Sequence, residues 1–227
     1  MKRVILTGAN DGLGASFGEL CIKNGIEIVA LGRHKPNYEC EFVEVDLRNE
    51  EQIENAIEEV KNKYSEFDAF INCAGAMSLG KLRDISLSEA KDVFMVNSIA
   101  PIYLVSKLHD VIVKNKADIL NVVSIMATLF DIELDSVLYT GSKWGFKGAS
   151  YNLEAEFSKT PCRVITLNPG GMNTNLFRKY DKSLENMADE WMNPKDIADI
   201  MLYILNLPKQ VEVSEIIITR KANYKDL

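Results

Sequence analysis

The sequence alternates short apolar runs, rich in β-branched residues, with longer segments that have the periodicity of a helix. The short runs are apolar almost throughout, which is typical of parallel strands covered on both faces. They predict strands at residues 3–7, 27–31, 41–45, 69–73, 119–124, 163–168 and 215–219, and the longer segments predict helices at residues 13–24, 49–64, 86–115, 138–158 and 194–206. Such an alternation predicts an α/β fold, a doubly wound parallel sheet of about seven strands with right-handed crossovers.

Nothing in the 227 residues divides the chain into parts. The sequence contains no linker rich in Pro, Gly or Ser, no internal repeat and no low-complexity segment, and its length suits one core. We therefore expect a single domain over residues 1–227. One connection is unusually short, because residues 32–40 contain Pro36 and leave no room for a crossover helix between two strands. They predict a loop or a single turn.

Composition and charge exclude several classes of partner. The net charge of −7 argues against a nucleic-acid partner or an anionic membrane surface, since both select basic faces. No apolar run approaches the roughly 20 residues that span a bilayer, and the chain enters its first strand at once, so we expect a cytoplasmic protein. The four cysteines are dispersed and predict buried free thiols, and two histidines, His34 and His109, do not supply a histidine-rich metal site.

The first predicted strand runs into a glycine-rich stretch, TGANDGLG, at residues 7–14, and a helix follows. Gly8, Gly12 and Gly14 permit a tight turn and a close approach of the backbone to a ligand, and the N-terminus of the helix offers N–H groups to a pyrophosphate. The alternative is an ordinary glycine-rich turn. Because the stretch follows the first strand and opens a helix, binding of a dinucleotide phosphate is the favoured interpretation.

The spacing of these glycines behind Thr7 resembles that of the short-chain dehydrogenase/reductase family, and further motifs follow in chain order. They are NCAG at 72–75, VNSIAP at 96–101, VVS at 122–124, YTGSK at 139–143 and PGGMNT at 169–174. The resemblance covers residues 3–219 and departs from the family at Cys73, a position often held by Asn. It implies a Rossmann-type fold and an NAD(P)(H)-dependent oxidoreductase that interconverts a carbonyl and a secondary alcohol in a small-molecule substrate.

The resemblance also implies roles for four polar residues. Tyr139 exchanges a proton with the substrate oxygen, Ser124 hydrogen-bonds the same oxygen, and Lys143 holds the nicotinamide ribose. Asn97 interrupts its helix and helps to anchor a water that relays protons to Lys143. The alternatives are a core-edge tyrosine, a serine that acts as a cap, a solvated lysine and an asparagine whose amide is bonded within the protein. The presence of all four residue types where one active site needs them favours catalysis.

Tyr139 and Lys143 stand four residues apart, which places both side chains on one helical face. A phenol has a pKa near 10, and lowering it to neutrality requires about 4 kcal/mol. An exposed lysine alone does not supply this, so we expect Lys143 and the positive nicotinamide ring to lower the pKa of Tyr139 together in a poorly solvated pocket. Fifteen positions separate Ser124 from Tyr139, slightly more than is usual in the family, and residues 125–138 are expected to bulge near the substrate.

The end of the second predicted strand carries the signal for cofactor choice. A carboxylate there binds a free ribose 2′-hydroxyl, whereas an arginine accommodates a 2′-phosphate. Arg33 stands at this position with His34 and Lys35 behind it, and no acidic residue occupies the strand end. Asp11 is the contrary signal, because NADP-preferring relatives often carry a basic residue there. We therefore expect NADP(H), with NAD(H) as the alternative.

Other cofactor contacts are carried over from the family motifs. Asp46 is expected to accept the adenine amino group or else to cap the next helix. Ala74 and Gly75 are expected on the adenosine side, and Thr174, with the N–H of Met172, near the nicotinamide carboxamide or a phosphate. The full set of expected contacts is Thr7, Gly8, Asn10, Gly12, Leu13, Gly14, Arg33, His34, Asp46, Leu47, Asn72, Ala74, Gly75, Lys143, Pro169, Gly170, Met172 and Thr174.

Residues 175–193 are expected to close over the substrate as a short lid. The apolar members of this segment are Leu176, Phe177, Tyr180, Met187 and Trp191. They suit a hydrophobic or aromatic carbonyl compound, or else they pack as a short helix.

Two other functions stay open at the level of sequence. One is a dehydratase or epimerase on the same scaffold, and the other is a dinucleotide-sensing regulator without chemistry, which the presence of both Tyr139 and Lys143 disfavours. The long helices at 86–115 and 138–158 build dimers and tetramers in relatives. By that analogy we expect a homodimer or homotetramer, the alternative being that these helices only cover the sheet.

Overall fold

A computed structural model describes residues 1–128, 136–178 and 191–221 of the chain. In these residues, seven parallel strands form one sheet in the order β3-β2-β1-β4-β5-β6-β7. The strands are β1 (Arg3–Thr7), β2 (Glu27–Gly32), β3 (Glu41–Glu44), β4 (Ala69–Asn72), β5 (Asp118–Val122), β6 (Val164–Pro169) and β7 (Glu215–Ile218). The predicted doubly wound α/β fold is confirmed. Because the strand order reverses at β1, the carboxyl ends of β1 and β4 flank the crevice where such sheets bind ligands.

The helices lie between the strands, close to the predicted positions. They are α1 (Gly12–Lys23), α2 (Glu50–Lys63), α3 (Leu87–Phe94), α4 (Ala100–Asn115), α5 (Val137–Phe157), α6 (Asn175–Arg178) and α7 (Pro194–Leu205). The helix predicted at 86–115 is divided, because a π-helical segment, Met95–Ile99, joins α3 to α4. This segment contains Asn97, where an interruption was expected. As predicted, the connection at residues 33–40 between β2 and β3 contains no helix.

Apolar side chains cover both faces of the sheet. Successive residues of a strand point to opposite faces, and Ile5 accordingly packs in the core beneath α2, α4 and α5, whereas Leu6 packs in the core beneath α1 and α7. Phe17 of α1 and Met201 of α7 are fully buried in the second core. The strands are therefore buried on both sides, as their apolar composition predicted.

The cysteines are free thiols, as predicted, but they differ in burial. Cys21 and Cys162 are buried, whereas Cys40 and Cys73 are only half-buried, so the predicted burial is wrong for these two. Within the described ranges, no helix is long and apolar enough to cross a membrane. The cytoplasmic location and the homo-oligomeric state stay predictions.

A row of buried polar side chains connects α5 to the sheet. Asn72 of β4, Asn121 of β5 and Thr166 of β6 are register partners on adjacent strands. The amide Nδ2 of Asn72 donates to Oδ1 of Asn121 at 2.9 Å, and Nδ2 of Asn121 donates to Oγ of Ser150 on α5 at 3.0 Å. Hydrogen bonds of this kind are directional, so they hold α5 at one height and one rotation above the strands.

Replacing Asn121 with Leu tests this connection. The variant leaves the buried Nδ2 of Asn72 without its acceptor, whereas the hydroxyl of Ser150 keeps its bond to the carbonyl oxygen of Phe146 at 2.9 Å. An unsatisfied buried donor costs about 1–3 kcal/mol. We expect Asn121→Leu to lower the free energy of unfolding by about 2 kcal/mol or more in urea titrations followed by circular dichroism, with an unchanged m value. The control is Asn152→Leu on the exposed side of α5, where we expect a change within about 0.5 kcal/mol. Equal losses in the two variants would show that the amide row adds no stability.

Candidate active site

A cavity of about 1000 Å³ lies at the carboxyl ends of the strands. Three of the expected site residues, Thr7, Asn72 and Asn97, do not line it. The expected residues that do line it are Gly8, Asn10, Gly12, Leu13, Gly14, Arg33, His34, Asp46, Leu47, Ala74, Gly75, Ser124, Tyr139, Lys143, Pro169, Gly170, Met172 and Thr174. The fold therefore brings the glycine loop and three of the four catalytic candidates to the walls of one cavity.

The glycine loop is packed too closely to accept side chains. Gly8 and Gly12 adopt φ angles of 71° and 53°, in the left-handed region that favours glycine. A Cβ atom on Gly8 would lie 2.7 Å from Cα of Ala74, and one on Gly14 would lie 2.2 Å from the carbonyl oxygen of Gly8. The bare backbone of the loop and the N-terminus of α1 thus form a cradle of the kind that holds a phosphate. These residues fit the pyrophosphate of a dinucleotide.

Thr7 and Asn72 support the cavity from behind its wall, which corrects their expected contact with a cofactor. The buried hydroxyl Oγ1 of Thr7 accepts hydrogen bonds from the backbone N–H groups of Cys73 and Ala74, at 3.0 and 3.1 Å. Asn72 points beneath α5, where its amide bonds Asn121. Thr7 positions the segment after β4, and Asn72 belongs to the amide row. Neither side chain faces the cavity, because the alternation of strand residues directs them elsewhere.

Tyr139 and Ser124 form a pair of hydroxyl groups on the cavity wall. Tyr139 lies in the first turn of α5 and is only 5% exposed, and the hydroxyl of Ser124 lies near enough to lower the pKa of the phenol. Ser124 follows the end of β5, and its Oγ also accepts from the N–H of Met126 at 3.2 Å, which caps the short turn Ile125–Ala127. The capping role that was the alternative for Ser124 therefore coexists with its contact to Tyr139. The pair is the arrangement that the sequence predicted.

Lys143 lies one turn after Tyr139 and is almost completely buried, so the alternative of a solvated lysine is wrong. Its Nζ donates to the carbonyl oxygen of Val122 at 3.0 Å and lies 6.0 Å from the centroid of the Tyr139 ring. Burial lowers the pKa of Lys143 from about 10.5 to about 8, and the interaction with Cys73 opposes this. The low pKa reflects the free-energy cost of holding a charge away from water.

The pKa of Tyr139 departs from the expectation for the protein groups alone. Burial raises the pKa of the phenol above its ordinary value, and the nearby hydroxyl of Ser124 opposes the rise. Desolvation therefore outweighs the stabilisation of the phenolate that the sequence assigned in part to Lys143. The other part of that expectation, a positive nicotinamide ring, belongs to the cofactor.

Asn97 holds a loop rather than lining the cavity. Its Oδ1 accepts from the N–H of Ala76 at 2.7 Å, and its Nδ2 donates to the carbonyl oxygen of Ala76 at 2.8 Å and to Oγ of Ser142 at 2.9 Å. Both Nδ2 hydrogens are engaged by protein groups, so the side chain donates to no relay water. The amide is bonded within the protein, as in the alternative, and it fixes Ala76, which does line the cavity. The expected relay water at Asn97 stays a prediction.

The end of the cavity expected to take adenine carries an ion-pair cluster. The carboxylate of Asp46 accepts two hydrogen bonds from Nε of Arg48, at 2.9 and 3.1 Å, and Arg48 reaches Asp92 of α3 at 3.5 Å. The bonds from Arg48 hold the pKa of Asp46 below its ordinary value. Asn49, not Asp46, caps α2, since its side chain accepts from the N–H of Gln52. The capping alternative for Asp46 is therefore wrong, and its carboxylate faces the cavity.

Arg48 was missed by sequence reasoning, and so were several residues of the connection between β4 and α3. That connection contributes Met77, Leu79 and Ser86 to the cavity lining, and the first turn of α3 contributes Ser88 and Glu89. The only sequence signal for Arg48 was its position two residues after Asp46, at the end of a strand. After the NCAG motif at 72–75, this part of the chain carries no further family motif until VNSIAP at 96–101, so nothing in the sequence marked these residues.

The region after β6 packs over the glycine loop. A Cβ atom on Gly12 would lie 3.1 Å from the side chain of Thr174, and Nδ2 of Asn175 donates to Oδ1 of Asp11 at 3.0 Å. Leu176 and Trp191 line the cavity, and the closing of this segment over a substrate stays a prediction. The structure does not describe most of the expected lid at 175–193, including the side chains of Phe177, Tyr180 and Met187. Residues 129–135 of the expected bulge also lie outside the described ranges.

Comparison with known proteins agrees with this geometry. A model of the short chain dehydrogenase family matches residues 2–185. An uncharacterised oxidoreductase of Staphylococcus aureus (strain MW2) is 27% identical over 226 residues, which cover 95% of each chain. One from Staphylococcus saprophyticus subsp. saprophyticus is 28% identical over 229 residues, again covering 95% of each chain.

Solved structures support the fold. 4-Hydroxyisoleucine dehydrogenase in complex with NADH superimposes with a TM-score of 0.85 at 24% identity, covering 98% of this chain and 99% of that one. An alcohol dehydrogenase from Thermococcus sibiricus in complex with 5-hydroxy-NADP superimposes with a TM-score of 0.84 at 20% identity, covering 98% and 97%. Since the family model spans most of the sequence and the cavity has the corresponding geometry, the chain belongs to the short chain dehydrogenase family of oxidoreductases.

Proposed function

We propose that this protein is an NAD(P)(H)-dependent oxidoreductase that interconverts a carbonyl and a secondary alcohol, with Tyr139 as the acid and base. The observation that carries the proposal is the neighbouring pair of Tyr139 and Ser124 on the wall of a cavity that is also lined by the glycine loop. A redox cofactor and a proton-exchanging hydroxyl are the two parts that this reaction needs. Both have a place in the same cavity.

The chain's own residues have distinct tasks in this reaction. A bound nicotinamide cofactor supplies or accepts the hydride. Ser124 and Tyr139 donate hydrogen bonds to the substrate oxygen, and Tyr139 gives its proton to the alkoxide that forms there during reduction, or takes it back during oxidation. The ammonium of Lys143, 6.0 Å from the centroid of the Tyr139 ring, stabilises the phenolate while the proton is away.

For the cofactor we propose NADP(H) over NAD(H). Arg33 follows directly after β2, lines the cavity and is exposed at its rim, together with His34. A guanidinium at this position meets a 2′-phosphate with charge-assisted hydrogen bonds, whereas a free 2′-hydroxyl gains less from it. Among the structural neighbours, one complex contains NADH and another contains 5-hydroxy-NADP, so the fold accommodates both nucleotides.

Substitution of the proposed acid tests the reaction. NADPH oxidation is followed at 340 nm with a panel of ketones, aldehydes and quinones, and Tyr139→Phe is expected to lower kcat by about 10²–10⁴-fold. Nucleotide affinity, measured by fluorescence titration, is expected to stay unchanged. The control is Tyr151→Phe, which alters an exposed tyrosine of the same helix and is expected to retain activity. Turnover that survives Tyr139→Phe would show that the proton comes from another group.

The cofactor preference rests on one side chain and has a matched control. Arg33→Ser removes a charge-assisted contact and is expected to raise KM for NADPH by about tenfold or more, while KM for NADH changes by less than about twofold. Lys35→Ser removes an equally exposed charge from the same loop, at a position that does not line the cavity. If both variants weaken NADPH equally, the loop acts through general charge and not through a contact of Arg33.

The buried ammonium of Lys143 predicts a pH-dependent stability. The pKa of Lys143 is lower in the folded protein, about 8, than its ordinary value of 10.5, so between these values the unfolded chain binds more protons. Stability therefore rises with pH across this window, and the penalty below pH 8 amounts to about 3 kcal/mol.

We expect Lys143→Met to melt at a higher temperature than the unmodified protein at pH 7. This difference in melting temperature is expected to disappear between pH 8 and pH 10. Thermal unfolding of both proteins without nucleotide, at four pH values, measures the difference. Tyr139 and Cys73, which face the same space, keep their protons in the folded protein across this window because burial raises their pKa values. Both proteins carry these two groups, so their contribution to the pH dependence cancels in the difference. Parallel curves for the two proteins would contradict a buried charged lysine.

A further inference from the structure

Tyr38 joins the loop between β2 and β3 to the glycine loop. Its hydroxyl donates to the carbonyl oxygen of Ala9 at 3.0 Å, and Ala9 lies between Gly8 and the start of α1. Burial raises the pKa of Tyr38 above its ordinary value, so the phenol keeps its proton and remains a donor. No motif of the sequence marked this residue.

The ring of Tyr38 lies directly over Gly18 in the middle of α1. A Cβ atom on Gly18 would be 1.9 Å from the hydroxyl oxygen of Tyr38 and 2.3 Å from its Cζ. Such distances are far inside van der Waals contact, so any side chain at position 18 would displace the phenol. A glycine in a helix interior costs about 1 kcal/mol of stability relative to alanine. The contact with the ring of Tyr38 explains why position 18 nevertheless requires a glycine.

Both ends of the loop segment that carries the basic residues are therefore fixed. At one end, the carbonyl oxygen of Gly32 accepts from the N–H of Val45 at 2.9 Å, which continues the pairing of β2 and β3. At the other end, Tyr38 is held by Ala9 and Gly18. Pro36, which is buried and has a fixed φ, lies between them. Arg33 and His34 stand at the start of this restrained segment and line the cavity.

We propose that Tyr38 is a positioning residue for cofactor selection, which holds the loop so that Arg33 meets the 2′-phosphate of NADP(H). This inference rests on the proposed function of the cavity. Arg33 is exposed, and an exposed arginine loses side-chain entropy when it orders against a phosphate. A loop that is already restrained limits the additional loss from the backbone, which is the general advantage of preorganisation.

The contact with Ala9 suggests a second possible role for Tyr38, which is to support the glycine loop. The experiment distinguishes this role from the positioning of Arg33. Ala9 belongs to the glycine loop, so a purely structural role of Tyr38 would disturb the pyrophosphate cradle and weaken every adenine nucleotide equally. A role in positioning Arg33 weakens only nucleotides that carry a 2′-phosphate. Adenosine 2′,5′-bisphosphate and adenosine 5′-monophosphate differ in that group alone.

Isothermal titration calorimetry of these two nucleotides against Tyr38→Phe and Gly18→Ala provides the test. The first variant removes the hydroxyl and keeps the ring, and the second displaces the phenol without changing it. Both are expected to bind the bisphosphate about three- to tenfold more weakly, the effect of one lost hydrogen bond, and to bind the monophosphate within about twofold. Tyr203→Phe, at an exposed position of α7, is the control and is expected to change neither affinity. Equal weakening of both nucleotides overturns the proposal.

A double-mutant cycle shows whether Tyr38 acts through Arg33. In the Arg33→Ser background, Tyr38→Phe is expected to have no further effect on the affinity for the bisphosphate, because the group that it positions is gone. Additive losses overturn the proposal, as does failure of the unmodified protein to prefer the bisphosphate. These binding measurements do not require turnover. If the protein reduces no carbonyl compound but Tyr38→Phe loses its effect in the Arg33→Ser background, the proposed reaction is refuted and the role of Tyr38 stands.

Discussion

The attachment of α5 to the sheet is the constraint on which the site depends. The buried face of this helix includes several polar groups that have specific partners. Lys143 bonds Val122, Ser150 bonds Asn121, and Lys147 forms an ion pair with Glu215 at 2.8 Å. Apolar packing tolerates small rotations of a helix, but buried hydrogen bonds do so much less, because each unsatisfied group is costly in a low-dielectric interior. One height and one rotation of α5 satisfy all three bonds, and they bring Tyr139 to Ser124.

The opposite wall of the cavity is set by contact between backbones. Gly8 packs against the segment after β4, and Thr7 holds the same segment through two N–H groups. Asn97 adds a third restraint by binding both backbone groups of Ala76. These contacts leave the chain between Cys73 and Ala76 little freedom, so the wall of the cavity is formed before a ligand enters. Thr7 and Asn97 therefore contribute to the site without lining it.

The fold was predictable to within a few residues at each element, because apolar runs and helical periodicity report burial directly. The predictions that were wrong concerned the directions in which particular side chains point. Asn72 sits inside a matched motif, yet its amide turns beneath α5. The cap of α2 that the sequence offered at Asp46 is supplied by Asn49 instead. The pKa of Tyr139 was misjudged for a similar reason. A sequence shows that a lysine is four residues away, but the extent of desolvation depends on the packing of the whole cavity.

The electrostatics of the cavity rim explain why restraint of the loop matters for cofactor choice. Asp11, the contrary signal in the sequence, accepts from the N–H of Gly12 at 2.7 Å and from Asn175, so its charge stabilises the N-terminus of α1. Its carboxylate thus has a capping role that does not depend on which nucleotide binds. The proposed preference for a 2′-phosphate then falls on Arg33, which is exposed to solvent. Exposed charges contribute little when they are mobile and screened, so an arginine in this position discriminates between nucleotides only if the loop that carries it is held in place.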